Sequence, residues 1–93
     1  MKMAMARHIL LKTKEEADEI KKRLDKGEDF SKLAKKYSIC NSAKRFGDLG
    51  EVRPGQMIKP IDTIIFRKKE LVIHGPVKTK FGYHLVQVVF RSN

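Results

Sequence analysis

Apolar residues along this chain alternate at two periods. The stretch Gly75–Phe90, GPVKTKFGYHLVQVVF, ends in Leu85, Val86, Val88, Val89 and Phe90, apolar on both alternating faces. That is the pattern of a central strand covered on both sides, and it predicts a final strand over Tyr83–Phe90. Ala6–Leu11 predicts a first strand, with His8 and Leu10 on one face and Arg7, Ile9 and Leu11 on the other. Between them the period turns helical. Ala17, Ile20 and Leu24 lie three and four apart behind Thr13-Lys14-Glu15-Glu16. In such a capping box the Thr13 hydroxyl accepts from the Glu16 N–H and the Glu16 carboxylate reaches back. With Gly27 placed for a left-handed close, a helix over Thr13–Lys26 is expected.

Asp29 can cap a second helix in which Phe30, Leu33, Ala34 and Tyr37 keep the helical spacing, with Lys32, Lys35 and Lys36 on its outer face. From Asn41 to Gly55 the chain reads as a long loop, broken by a short extended piece at Gly50–Val52. A loop of that length in so small a domain is more often functional than filler. Ile61, Ile64, Ile65 and Phe66 predict a short buried helix over Lys59–Phe66, with Pro60 at its first position. Leu71-Val72-Ile73 is a brief apolar run and His74-Gly75-Pro76 a turn. Val77-Lys78-Thr79 is a short strand, followed by a turn at Phe81-Gly82. The order β-α-α-(loop, short β)-α-β-β predicts an α+β domain with a mostly antiparallel sheet.

At 93 residues the chain has room for one domain and one core, residues 1–93. No apolar run is long enough for a membrane span. The basic-then-apolar start MKMAMARHILLK is read as a strand, because its apolar run stops at Lys12, too soon for a secretion signal. A lone cysteine, Cys40, forms no internal disulfide, which fits a reducing compartment and a cytoplasmic protein. The net charge of +10, from 21 basic against 11 acidic side chains, favours anionic partners such as nucleic acid, ribosome or acidic protein surfaces. It equally suits a self-repelling, monomeric surface, since the lysines are scattered. No aromatics are interleaved with them as single-strand binders require.

The chemistry gathers around two imidazoles. His84 opens the last strand and His8 interrupts the first. By pattern alone they are either satisfied core residues or the start of a site. Cys40 with His8 and His84 has no local metal-ligand spacing, so a zinc site is set aside.

The segments HILLK, YSICNSAK, GDLGEVRPGQM and GPVKTKFGYHL, in this order and over nearly the whole chain, resemble the parvulin family of peptidyl-prolyl cis/trans isomerases. They look most like its small single-domain bacterial members. The resemblance implies an FKBP-like, four-stranded antiparallel sheet wrapped by helices. It also implies an enzyme that rotates Xaa-Pro bonds in unfolded or nascent polypeptides, with no cofactor or metal. His8 and His84 would sit side by side, hydrogen-bonded through the Thr79 hydroxyl, with Cys40 facing them. Leu49, Met57 and Ile61 would line a proline pocket with Phe81 nearby. Cys40 could act as a nucleophile on the substrate carbonyl if its thiol pKa were lowered. The simpler role is a polar group disfavouring the planar amide, because a rotation needs no covalent step.

Two positions depart from the family pattern. Position 61 is usually phenylalanine and here is Ile61; position 52 is often aromatic and here is Val52. Both remove ring surface from the expected cradle, which predicts weaker stacking and broader or slower turnover. The arginine pair of the phosphate-specific branch has no room in Lys12-Thr13-Lys14, so phosphoserine selectivity is not expected. Lys12, Lys44 and Arg45 would favour an acidic residue before the proline. The competing readings are a chaperone-like module that holds proline-containing or hydrophobic segments with little turnover, and a basic nucleic-acid-associated domain.

Overall fold

The computed structural model describes residues 2–92. Four strands, β1 (Met3–Leu11), β2 (Asp48–Val52), β3 (Ile73–Thr79) and β4 (Gly82–Ser92), form one antiparallel sheet in the order β2-β1-β4-β3. The helices are α1 (Lys14–Asp25), α2 (Phe30–Tyr37) and α3 (Lys59–Arg67), with a 3-10 turn at Asn41–Arg45. β1 and β4 carry the double-sided apolar pattern because they are the two inner strands. One face buries Ile9, Leu11 and Leu85 against Ala17 and Ile20 of α1 and Phe30, Leu33 and Ala34 of α2. The other buries Ala4, Ala6, Val86 and Val88 against Ile61, Ile64 and Ile65 of α3. Among the described residues, no helix is long and apolar enough to cross a membrane.

Local chemistry sets the element ends. The Thr13 hydroxyl accepts from the Glu16 N–H at 3.1 Å. It also donates to the Glu16 carboxylate at 3.0 Å, so that carboxylate returns to the hydroxyl. α1 closes in a Schellman motif: the Gly27 N–H bonds the Leu24 carbonyl and the Glu28 N–H the Arg23 carbonyl, with Gly27 at φ 98. Asp29 caps α2 through the Ser31 N–H. Pro60 is the second residue of α3, where it still lacks only an N–H that no helical carbonyl would take. The Arg91 guanidinium donates to the carbonyls of Ile64, Ile65 and Lys68 and so closes the far end of α3.

Three bulges interrupt the strand alternation, and two of them fall where the sequence pattern misled. His74-Gly75-Pro76 is not a turn before a short strand. It lies within β3, where Gly75 and Pro76, joined by a cis peptide bond, together oppose Leu85. The extended piece expected at Gly50–Val52 begins earlier, at Asp48, and Leu49 is an extra residue between the partners of Ala6 and Arg7. Val89 is likewise extra between the partners of Met5 and Ala6. Each insertion resets the two-residue alternation, so residues beyond it face the opposite way from a simple count.

Candidate functional site

His8 on β1 and His84 on β4 share the α3 face of the sheet as diagonal neighbours, since His8 pairs with Val86 and Leu10 with His84. Both rings are buried, at 3% and 4% exposure. Their Nδ1 atoms lie 3.3 Å apart and the rings stack at 5.4 Å between centroids. His84 Nε2 meets the Thr79 hydroxyl at 2.7 Å, and that oxygen also accepts from the Phe81 N–H at 3.1 Å. His8 Nε2 meets the Ser42 hydroxyl at 3.1 Å. The histidines therefore touch directly, with one hydroxyl at each outer end, rather than being joined through Thr79.

Proton counting fixes the character of this chain. With one proton per ring, a single N–H lies between the two Nδ1 atoms and each Nε2 is matched by a hydroxyl. A second added proton would set two N–H groups face to face. Burial and the neighbouring His84 lower the His8 pKa to about 4, and burial lowers that of His84. Both rings are neutral at pH 7.

Above the rings lies a cavity of about 310 Å³. His8, His84, Leu10 and Ile61 line it together with Met57, Ile58, Gln56, Cys40 and Phe81. Phe81, more than half exposed, forms part of the rim, with the Lys80 ammonium 5.2 Å over its ring. The lining is overwhelmingly apolar, so the cavity suits a small hydrophobic ring held away from water. Among the described residues no group of three His, Cys, Asp or Glu side chains could hold a metal ion.

The structure brings His8, Cys40, Thr79, His84, Met57, Ile61 and Phe81 into one place, but not Leu49 or Val52. Leu49, the bulged residue, packs on the core cluster of α3 and does not line the cavity. Val52 is 2% exposed, opposite Ala4, so its lack of an aromatic ring alters the core rather than the cavity wall. Sequence reasoning missed Leu10, Gln56, Ile58 and Ser42. Leu10 was within reach, being two residues from His8 on the same strand face. Ser42 carried no signal, since one serine in a polar loop looks like any other.

Ser42 is 2% exposed, so its hydroxyl is a fixed partner for His8. Ser42→Ala leaves His8 Nε2 buried without one, and the expected loss of stability is about 1–3 kcal/mol. Denaturant unfolding of the two proteins checks this; a loss well under 1 kcal/mol would mean that water takes the place of the hydroxyl.

Comparison with known proteins adds a lineage to this geometry. The profile of the family described as rotamase, PPIC-type PPIase domain, matches residues 8–89. A foldase protein PrsA of Geobacillus sp. (strain WCH70) is 49% identical over 84 residues, which cover 89% of this chain and 30% of that protein. PrsA of Clostridium tetani is 47% identical over 85 residues, 90% of this chain and 25% of that one. The chain thus spans less than a third of the length of these curated relatives. Two small solved structures match it along nearly their whole length. NmPin, the parvuline of Nitrosopumilus maritimus, superimposes with a TM-score of 0.84 at 37% identity, over 95% of this chain and 96% of that one. Pin of the archaeon Cenarcheaum symbiosum gives 0.82 at 42% identity, over 92% and 90%.

Proposed function

Since this chain belongs to the family of PPIC-type peptidyl-prolyl cis/trans isomerase domains, we propose that it works by holding a twisted Xaa-Pro amide over the histidine pair. The uncatalysed rotation faces a barrier of about 18–20 kcal/mol, because the planar amide must give up its resonance. In the twisted state the proline nitrogen is pyramidal and the carbonyl ketone-like. A cavity that binds this state better than either planar form speeds the exchange, and no bond breaks. The apolar wall of Met57, Ile58 and Ile61 supports this reading as a seat for the pyrrolidine ring from which water is excluded.

The observation that carries the proposal is the floor: a hydrogen-bonded run Ser42–His8–His84–Thr79 of neutral groups, buried except for the half-buried Thr79, beneath an apolar cavity. Such a run fixes the shape of the site and needs no net proton transfer. Cys40 lines the same cavity and supplies a polarisable group beside the swinging carbonyl. Phosphoserine selectivity is not part of the proposal, since only Lys12 and Thr13 separate β1 from α1. The lone thiol supports work in a reducing compartment, and a charge of +10 supports a self-repelling single copy.

Exchange NMR on a short Ala-Xaa-Pro-Phe peptide tests the reading. Catalytic amounts of the protein should speed cis/trans exchange, and a folded His84→Ala variant should lose about tenfold or more of that rate, some 1.4 kcal/mol. If exchange is not accelerated while the Met57 and Phe81 signals still shift with peptide, the cavity is a holding groove without turnover.

A further inference from the structure

A second hollow lies on the opposite face of the sheet. It encloses about 530 Å³, with Met5, Ala6, Phe46 and Val89 as its apolar lining and Arg7 and Arg45 among its polar groups. The first turn of α2, at Ser31, borders it, and Val89 is the bulged residue of β4, without a partner on β1. Val89 is 47% exposed, Phe90 beside it 50% and Phe46 48%, so large apolar side chains stand in water together. Monomeric domains do not usually leave such a group uncovered without use.

The charge around it is mostly of one sign. Arg7 donates to the Gln87 amide oxygen at 2.8 Å and to the Ser31 hydroxyl at 3.3 Å, and lies 4.5 Å over the Phe30 ring. All of these partners are neutral. The Lys35 ammonium sits 4.9 Å over the Phe46 ring. Among the described residues, none of Arg7, Lys35 and Arg45 is in an ion pair. Among the described residues, Asp48 is the one carboxylate lining the hollow, and it already accepts from the Gly50 N–H. A second copy of a chain with a charge of +10 is repelled from such a face.

We propose that this face is a second docking site, which takes a polypeptide segment carrying large apolar side chains next to carboxylates. Arg7 and Arg45 meet the carboxylates while the apolar side chains cover Met5, Phe46 and Val89. The occupant is a further stretch of the client polypeptide. The segment spanning residues 40–48 places Cys40 and Ser42 on the histidine side and Arg45, Phe46 and Asp48 on this side, so a chain passing the β2 edge reaches both. The client role rests on the isomerase reading; the binding itself does not.

The probe is a blocked, proline-free peptide of alternating Glu and Leu, titrated into the isotope-labelled full chain. Signals of Arg7, Ser31, Phe46 and Val89 should move while those of Met57 and His84 stay still. Replacing Glu by Gln in the peptide, or Val89→Glu in the protein, should each weaken binding about tenfold or more. Exchange of the proline tetrapeptide by Val89→Glu should remain at the parent rate. Shifts centred on the histidine cavity, equal binding of the Gln peptide, displacement by a uridine oligonucleotide, or a dimer in sedimentation dissolved by Val89→Glu would each overturn the proposal. Loss of prolyl exchange with peptide binding intact would instead remove only the client role.

Discussion

Acidification from pH 6.5 to pH 4 should cost this fold about 3 kcal/mol through His8 alone. The unfolded chain takes up a proton near pH 6.5, whereas burial and His84 hold the folded His8 neutral down to about 4. Between those values the unfolded state binds more protons, so stability falls as pH falls. Above pH 6.5 both states are neutral at this site and the effect vanishes. His84 is lowered in the same direction by its burial and adds to the slope. The measurement is the urea midpoint across that pH range for the parent protein and for His8→Asn, which should flatten the curve. Titration of the imidazole Cε1–H signals in the folded parent gives a second readout that does not depend on the variant folding. Ring protons that titrate at the ordinary histidine value would mean that water reaches the pair and that the floor is not the rigid, neutral chain described here.

That the two histidines belonged together was legible in the sequence only in part. Their placement in apolar, two-sided strands marked both as unusual, and strand alternation put His8 and Leu10 on one face. Their contact follows from the register of β1 on β4, which no local pattern encodes. Resemblance to parvulins supplied it, but gave Thr79 the linking role, when it stands at one end of the run and Ser42 at the other. The helices were readable because capping chemistry is local: Thr13, Asp29 and Gly27 act on residues within one turn. The errors fall at bulges. Leu49 and the pair Gly75-Pro76 each add a residue to one strand, and the energy that favours this comes from partners distant in sequence. Pro76 was thereby assigned to a turn, whereas Leu49 was placed at the cavity by the resemblance to parvulins and not by strand alternation.

Gly47→Ala should cost about 2–5 kcal/mol of stability. The residue sits at φ 83, where a side chain is strained. An added Cβ would also lie 2.6 Å from the His8 carbonyl oxygen and 2.9 Å from the Ala34 Cβ. Neither neighbour can yield cheaply. Ala34 is fully buried under the sheet, and the His8 backbone is tied to this residue by its N–H donating to the Gly47 carbonyl at 2.9 Å. The Gly47 N–H in turn donates to the Ser42 carbonyl at 2.8 Å, so one glycine sets the spacing between both partners of the Ser42–His8 hydrogen bond. Any relief of the contact moves β1 or the Ser42 turn, and prolyl exchange should fall along with stability. Gly55→Ala is the matched control, since Gly55 has a similar φ of 88 but nothing within 4 Å of the new methyl. It should lose only the backbone cost of about 1–2 kcal/mol and keep its exchange rate. Equal losses in the two variants would show that the histidine floor tolerates a displaced neighbour, and that its rigidity does not come from the close approach of Gly47.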